Sequence, residues 1–384
     1  MNLTTFSFPT TTVVGSGAIT ELPGRLARLG IRRPLVVTDP GLLSTASFQR
    51  LKQTLGPAAF GEDWFLFSAV HPNPIEKDVL DGAAAFRDAG CDGVVAFGGG
   101  SPLDAGKALR LLVKQPRLDL AAFDYTADWS GLVPLVCIPT TAGTGSEVGR
   151  SSVITLQSTG RKRVLFQPEL LAKLVILDAE LTRDLPPKLT AATGADALTH
   201  CIESFTCPVF HPLCDGIALE GIHLVVEALP KAFRQGADLE AREKMLVAAS
   251  MGAIAFQKDL GATHSLAHPL STVCGLHHGL ANALCLVAVM RLNAERKPGL
   301  YRRVGIACNQ EVLTCAPAEA DARTIQFVST FLAGLGLDGK LRDHGVKESH
   351  LEELTLQAWE DPCHRTNAVP VTQDDLRKLY QSVL

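Results

Sequence analysis

The sequence predicts two dissimilar halves: an α/β nucleotide-binding domain over residues 1–187 and an all-α domain over residues 188–384. Three observations carry this. Up to Pro187, short apolar runs closed by turn residues alternate with helically spaced segments, the pattern of a parallel sheet covered on both faces. One of those runs ends in a glycine triplet that opens a helix. Beyond Pro187 strand signals nearly vanish, and one uncharged stretch carries four histidines.

In the first half, Pro34 to Thr38 (PLVVT), Gly93 to Phe97 (GVVAF) and Leu132 to Ile138 (LVPLVCI) read as buried strands, and Ile75 to Ala89 has helical spacing. After the second strand comes Gly98-Gly99-Gly100-Ser101-Pro102-Leu103-Asp104. Glycines allow close backbone approach, Pro102 suits a first helical turn, and the free N–H groups of such a helix favour a pyrophosphate. A plain strand-to-helix turn fits the triplet equally, since it is not the G-x-G-x-x-G pattern. Asp39 closes PLVVT, where a carboxylate can accept from an adenosine ribose and repel a 2′-phosphate, favouring NAD over NADP. That acid precedes the glycines, the reverse of the usual order, so a solvated turn residue fits as well. Pro139 to Glu147 (PTTAGTGSE), rich in small hydroxyl residues, reads as a second ligand-facing loop or a surface turn.

Leu181 to Pro187 (LTRDLPP) reads as the connection between halves, and Thr190 to Phe205 as a capped helix. It puts Asp196, His200 and Glu203 on one face, a pattern that also fits exposed polar residues. The organising stretch is Leu260 to Met290, which has no Lys, Arg, Asp or Glu but holds His264, His268, His277 and His278. Apolar surroundings keep imidazole neutral, the metal-ligating form. Each buried imidazole needs a polar partner, so four together point to a metal site rather than to separate core histidines. Pro269 is expected to end the turn carrying His264 and His268 or to sit just beyond it.

Composition bounds the function. The chain has 384 residues and a net charge of −4 with no basic cluster, which argues against nucleic-acid or polybasic membrane binding. The N-terminus lacks a charged n-region and a long apolar core, so no signal peptide is expected. The uncharged stretch is long enough to span a bilayer, but its histidines, Pro269, Asn282 and glycines fit a buried core better. Ten cysteines without a CxxC indicate neither a disulfide framework nor a zinc ribbon, so a soluble, reduced, cytoplasmic protein is expected.

Together these motifs resemble the iron-containing (group III) alcohol dehydrogenase family over essentially the whole chain. The resemblance lies in GGGSPLDAGKA from Gly98, PTTAGTGSEV from Pro139, ATGADALTHCIE from Ala192 and HSLAHPLSTVCGLHHGLANA from His264. It implies a dehydroquinate synthase-like fold: a Rossmann-like α/β N-terminal domain, an all-α C-terminal domain, and a metal in the cleft between them. Residue by residue it implies Asp196, His200, His264 and His278 as metal ligands, His278 being preferred to His277 because the family's ligand directly precedes glycine, here Gly279. His268 matches a histidine near substrate and nicotinamide and is the candidate proton relay; His277 either lies behind the ligands or is a substrate contact. Cofactor contacts are implied at Asp39, Asn73, Gly99, Gly100, Ser101, Thr140, Thr141, Thr144, Lys162 and Leu181. Gly149 departs from the threonine found in many members, and the full ligand set separates the chain from maleylacetate reductases.

The implied activity is NAD(H)-linked alcohol dehydrogenase or aldehyde reductase with Fe²⁺ or Zn²⁺, in a homodimer or higher homo-oligomer. The stretches HCIESF from His200, DGIALEG from Asp215, GLHHGLAN from Gly275 and DPCHRTN from Asp361 are most similar to 4-hydroxybutyrate dehydrogenases, which reduce succinic semialdehyde. His364, Arg365 and Asn367 are the candidates for a substrate carboxylate. Alternatives are another short functionalised aldehyde (lactaldehyde, 3-hydroxypropanal, a phosphono- or sulfo-aldehyde) or a dehydroquinate synthase-like lyase. The lyase lacks the Lys/Arg cluster it would need, and a metal-dependent hydrolase would leave the glycine and threonine loops unexplained.

Overall fold

A computed structural model describes residues 10–56 and 63–384. They form two compact units, one of residues 10–141 with Gly145–Leu185 and one of Pro186–Leu384 with Ala142–Thr144.

The first unit runs β1 (Thr11–Val14), α1 (Leu22–Arg28), β2 (Pro34–Val37), α2 (Ala46–Leu55), β3 (Phe65–Phe67), α3 (Glu76–Asp88), β4 (Gly93–Gly98), α4 (Gly100–Lys114), β5 (Leu135–Pro139), β6 (Ser151–Thr155), β7 (Lys162–Phe166) and β8 (Leu174–Leu177). Six strands form a parallel sheet in the order β1-β8-β5-β4-β2-β3, while β6 and β7 pair antiparallel. Strands β2, β4, β5 and β8 are buried at every residue, which is why they are continuous apolar runs. The edge strands β1 and β3 are partly exposed and only four and three residues long, so they carry no apolar run to read. One face of the sheet closes over a core of Ile19, Leu22, Leu26, Phe48, Leu51, Val95, Phe97 and Ile176.

The chain moves outward from β2 to β3, returns across β2 to β4, then continues through β5 to β8. Adjacent connections therefore diverge between β2 and β4, and ligands of open α/β sheets bind outside the carboxyl ends of the strands at such a point.

The second unit is helical: α5 (Pro187–Thr206), α6 (Pro212–Arg234), α7 (Leu239–Ala255), α8 (Ala262–Cys274), α9 (His278–Arg296), α10 (Arg302–Ala307), α11 (Pro317–Ala333), α12 (Leu351–Glu360) and α13 (Gln373–Val383). Its described residues contain no strand. Helices α8, α9, α12 and α13 share a core of Leu266, Leu270, Leu284, Val289, Leu354, Leu376 and Tyr380. Of the two expectations for Pro269, ending the turn fails: it sits just beyond the turn carrying His264 and His268, and the helix continues. It lies inside α8, which runs on to a left-handed Gly275, because Leu266 and Leu270 on either side are held in that core. No described helix is long and apolar enough to cross a membrane.

Candidate metal centre

Three helices of the second unit bring the candidate ligands together. On α5, Asp196, His200 and Glu203 share a face and are 2–5 % exposed, so they are core residues rather than a solvated stripe. Helix α8 supplies the fully buried His264, and α9 supplies His278 at its first position. Helix α9 can start there only because residue 279 is glycine. A Cβ at Gly279 would lie 2.0 Å from the Ala192 carbonyl oxygen of α5, so the two backbones touch.

The geometry is convergent. The Nε2 atoms of His200, His264 and His278 lie 3.8, 3.8 and 3.5 Å from one oxygen, Oδ1 of Asp196. The rings of His200 and His264 stack 4.7 Å apart. Burial pushes His200 down to about 4, so this imidazole is neutral at physiological pH. Burial would also lower His264, but the Asp196 and Glu203 carboxylates override it and push His264 up to about 9. Burial raises Asp196, and the three imidazoles overcome that and hold it well below the usual carboxylate range. A buried donor set that draws in a proton this strongly also suits a divalent cation, whose binding releases such a proton. Three imidazole nitrogens and one carboxylate oxygen match the chemistry of Fe²⁺ or Zn²⁺, so the residues present fit the ion.

Side chains around the donors set their orientation; the sequence singled out His268 and placed Glu203 beside Asp196 and His200, but it did not give their partners. Glu203 Oε2 accepts from His264 Nδ1 at 2.6 Å. Asn282, one turn beyond His278 and fully buried, donates from Nδ2 to Asp196 Oδ1 at 2.7 Å. His268 stacks on His278 with ring centres 5.3 Å apart and donates from Nδ1 to Asp361 Oδ2 at 2.7 Å, leaving its Nε2 free. Asp361 also accepts from Ser265 Oγ at 2.8 Å, which fixes it against α8. The signal for Asp361 was its place in DPCHRTN, but its role there depends on a chain separation of 93 residues. His277 precedes α9 and is exposed, its neighbour His278 being the one directed at Asp196.

The triad at residues 364–367 is not a cluster of available polar groups. His364 stacks on Trp359 and its Nε2 donates to the Trp359 carbonyl at 2.9 Å. Asn367 accepts from the Ala262 backbone and donates to Asn293 and the Val369 carbonyl. Only Arg365 of the three is exposed.

In the α/β unit the candidate cofactor residues gather at the carboxyl ends of adjacent strands. Asp39 follows β2 and accepts from Gly41 N at 2.9 Å, capping a short turn. Gly99, Gly100 and Ser101 join β4 to α4, and Thr140 and Thr141 follow β5, with Thr140 N donating to Gly98 O at 2.9 Å. Asn73, in the left-handed region at φ 55°, donates its N–H to Ser101 Oγ at 3.2 Å. Leu181 follows β8 and is buried in the core; Lys162 opens β7 in the separate two-stranded sheet. Thr144 belongs with the helical unit. Two further residues of the glycine motif do structural work. The buried Lys107 Nζ donates to Ser146 Oγ (2.7 Å) and the Ser151 carbonyl (2.8 Å). Asp104 accepts from Ser146 Oγ (2.6 Å) and Val153 N (3.0 Å). Together they pin the loop after β5 to α4.

Comparison with known proteins gives the family. Residues 9–179 match the family described as iron-containing alcohol dehydrogenase, and residues 190–384 match the C-terminal part of the Fe-containing alcohol dehydrogenase family. The chain is 39% identical over 375 residues to 4-hydroxybutyrate dehydrogenase of Cupriavidus necator, covering 95% of this chain and 96% of that one. A crystal structure of 1,3-propanediol oxidoreductase superposes with a TM-score of 0.93 at 30% identity, over 100% of both chains. Sulfoacetaldehyde reductase from Bifidobacterium kashiwanohense, solved in complex with NAD⁺, superposes with a TM-score of 0.85 at 28% identity, over 100% of this chain and 99% of that one. The chain belongs to the iron-containing alcohol dehydrogenase family.

Proposed function

We propose that the protein is a metal-dependent, NAD(H)-linked alcohol dehydrogenase or aldehyde reductase acting on a short primary alcohol or ω-hydroxy acid, with 4-hydroxybutyrate and succinic semialdehyde as its pair. The observation that carries the reaction class is the convergence of three imidazole Nε2 atoms on Asp196 Oδ1. In this reading Asp196, His200, His264 and His278 hold Fe²⁺ or Zn²⁺. The bound ion supplies Lewis acidity at the substrate oxygen, and the nicotinamide gives or takes hydride. His268, with Nδ1 committed to Asp361, presents Nε2 as the proton acceptor in alcohol oxidation and, protonated, as the donor in reduction. Asp39 receives the adenosine ribose, and the N-terminus of α4 with Gly99, Gly100 and Ser101 receives the pyrophosphate. Exposed His277 is the candidate substrate contact.

The substrate assignment rests on the 39% identical relative, which is named for 4-hydroxybutyrate. The commitments of His364 and Asn367 leave Arg365 as the member of that triad able to meet a carboxylate. Steady-state kinetics with NADH and the iron-loaded protein test it: succinic semialdehyde is expected to exceed butanal in kcat/KM. Equal or better efficiency with butanal would remove the carboxylate from the account and leave the dehydrogenase intact.

A further inference from the structure

Glu203 is an acid buried among donors. It is 5 % exposed, and besides His264 Nδ1 its carboxylate accepts from Gly261 N at 3.0 Å and Thr263 N at 2.6 Å. Those two N–H groups belong to the start of α8, whose cap residue, Gly261, offers no side-chain acceptor. The acid thus stands in for an N-cap, supplied from α5 across 58 residues of sequence, and its charge meets the positive end of the helix dipole. Gly261 makes room for it: a Cβ there would lie 2.8 Å from Glu203 Oε1 and 3.0 Å from Asn367 Oδ1.

The second consequence is chemical. A neutral imidazole carries one proton on either nitrogen, and only the bare nitrogen can ligate. With Nδ1–H held by Glu203, the lone pair of His264 is on Nε2, the atom facing Asp196. We infer that Glu203 is a positioning residue for the metal: its negative charge, and not merely its shape, locks His264 in the ligating tautomer and strengthens it as a donor. The inference rests on the proposed ligand set. Glutamine at this position would keep the volume but carry an NH₂ group. Turned to His264 it would favour the Nε2–H form, which cannot ligate. Turned away it would face the Thr263 N–H with a donor.

Full-length wild-type protein and Glu203→Gln, both stripped of metal, are titrated with Zn²⁺ against a chromophoric chelator. Loss of the carboxylate partner is expected to weaken zinc binding by about 10- to 100-fold. Asn367→Ala, which loosens the same helix end without touching His264, separates this from simple fraying and is expected to stay within about threefold of wild type. Undiminished affinity in Glu203→Gln, or an equal loss in Asn367→Ala, overturns the inference alone; wild-type protein that takes up no zinc overturns the ligand set as well. If Glu203→Gln does not fold, zinc-loaded wild-type protein with ¹⁵N-labelled histidine decides. His268 also meets a carboxylate through Nδ1–H, so the deciding signal is a second ring with a protonated, strongly deshielded Nδ1–H whose Nε2 shifts on zinc loading; the absence of such a zinc-responsive ring refutes the assignment.

Discussion

Replacing Gly279 by alanine tests whether the contact between α5 and α9 builds the metal centre. The added Cβ would sit 2.0 Å from the Ala192 carbonyl oxygen and 3.2 Å from Asp196 Cβ. A carbon and a carbonyl oxygen approach to about 3.3 Å, so the first turn of α9 must retreat by about 1.3 Å. His278 is the residue next to it, and ligand distances tolerate about 0.2 Å. A shift several times larger takes His278 out of reach of the ion shared with Asp196, and Asn282 loses its 2.7 Å bond to the same carboxylate. Overpacking of this kind costs about 1–3 kcal/mol, and each kcal/mol lowers Tm by about 2–4 °C in a domain this size. The purified variant is expected to unfold several degrees lower and to retain well under half the wild-type metal after dialysis. Thermal denaturation and elemental analysis measure both. Wild-type metal content with an unchanged Tm would refute the close-contact argument.

Three other outcomes follow from the structure. Lys107→Met removes the buried cation beside Asp104 and the donor to Ser146 Oγ and the Ser151 carbonyl, and is expected to destabilise the α/β unit by about 3 kcal/mol in denaturant unfolding; a loss under about 1 kcal/mol would show that the loop is held otherwise. Asp39→Gly is expected to narrow the preference for NADH over NADPH in kcat/KM, and equal use of both coenzymes by the unmodified protein would contradict the role given to Asp39. Arg296 grips Asp375 through two bonds and holds its carboxyl down to about 2. Because the folded pKa lies below the unfolded value of about 3.9, this contribution is present above pH 4 and is lost between about pH 4 and 2. Asp375→Asn is therefore expected to lower Tm at pH 7 but not at pH 2, as a melting series in pH would record.

The parts of this molecule legible in its sequence are those whose local chemistry is extreme. Strands β2, β4 and β5 are buried along their whole length and so read as unbroken apolar runs, whereas β1 and β3, at the sheet edges, offer only TTVV and FLF. The histidines stood out because Leu260–Met290 carries no competing charge. Pro269 left open whether the helix stops there, because the penalty for proline inside a helix is local, whereas the core contacts of Leu266 and Leu270 that hold α8 together are not. Glu203, Asn282 and Asp361 each act on a histidine or carboxylate 61 to 93 residues away, and no local pattern announces that. The triad His364, Arg365 and Asn367 looked like a polar cluster by adjacency, but hydrogen bonding turns two of its members inward.

X-ray absorption at the zinc edge of the zinc-reconstituted protein tests the ligand assignment most directly. Besides Asp196, His200 and His264, a second group of side chains, His268, Asp361 and Cys363, is close enough to hold an ion, and it contains a thiol. Asp196, His200, His264 and His278 together predict a shell of nitrogen and oxygen at about 2.0–2.1 Å, with outer-shell scattering from three imidazoles and no sulfur. A sulfur scatterer at about 2.3 Å would place the metal at Cys363 and contradict the account.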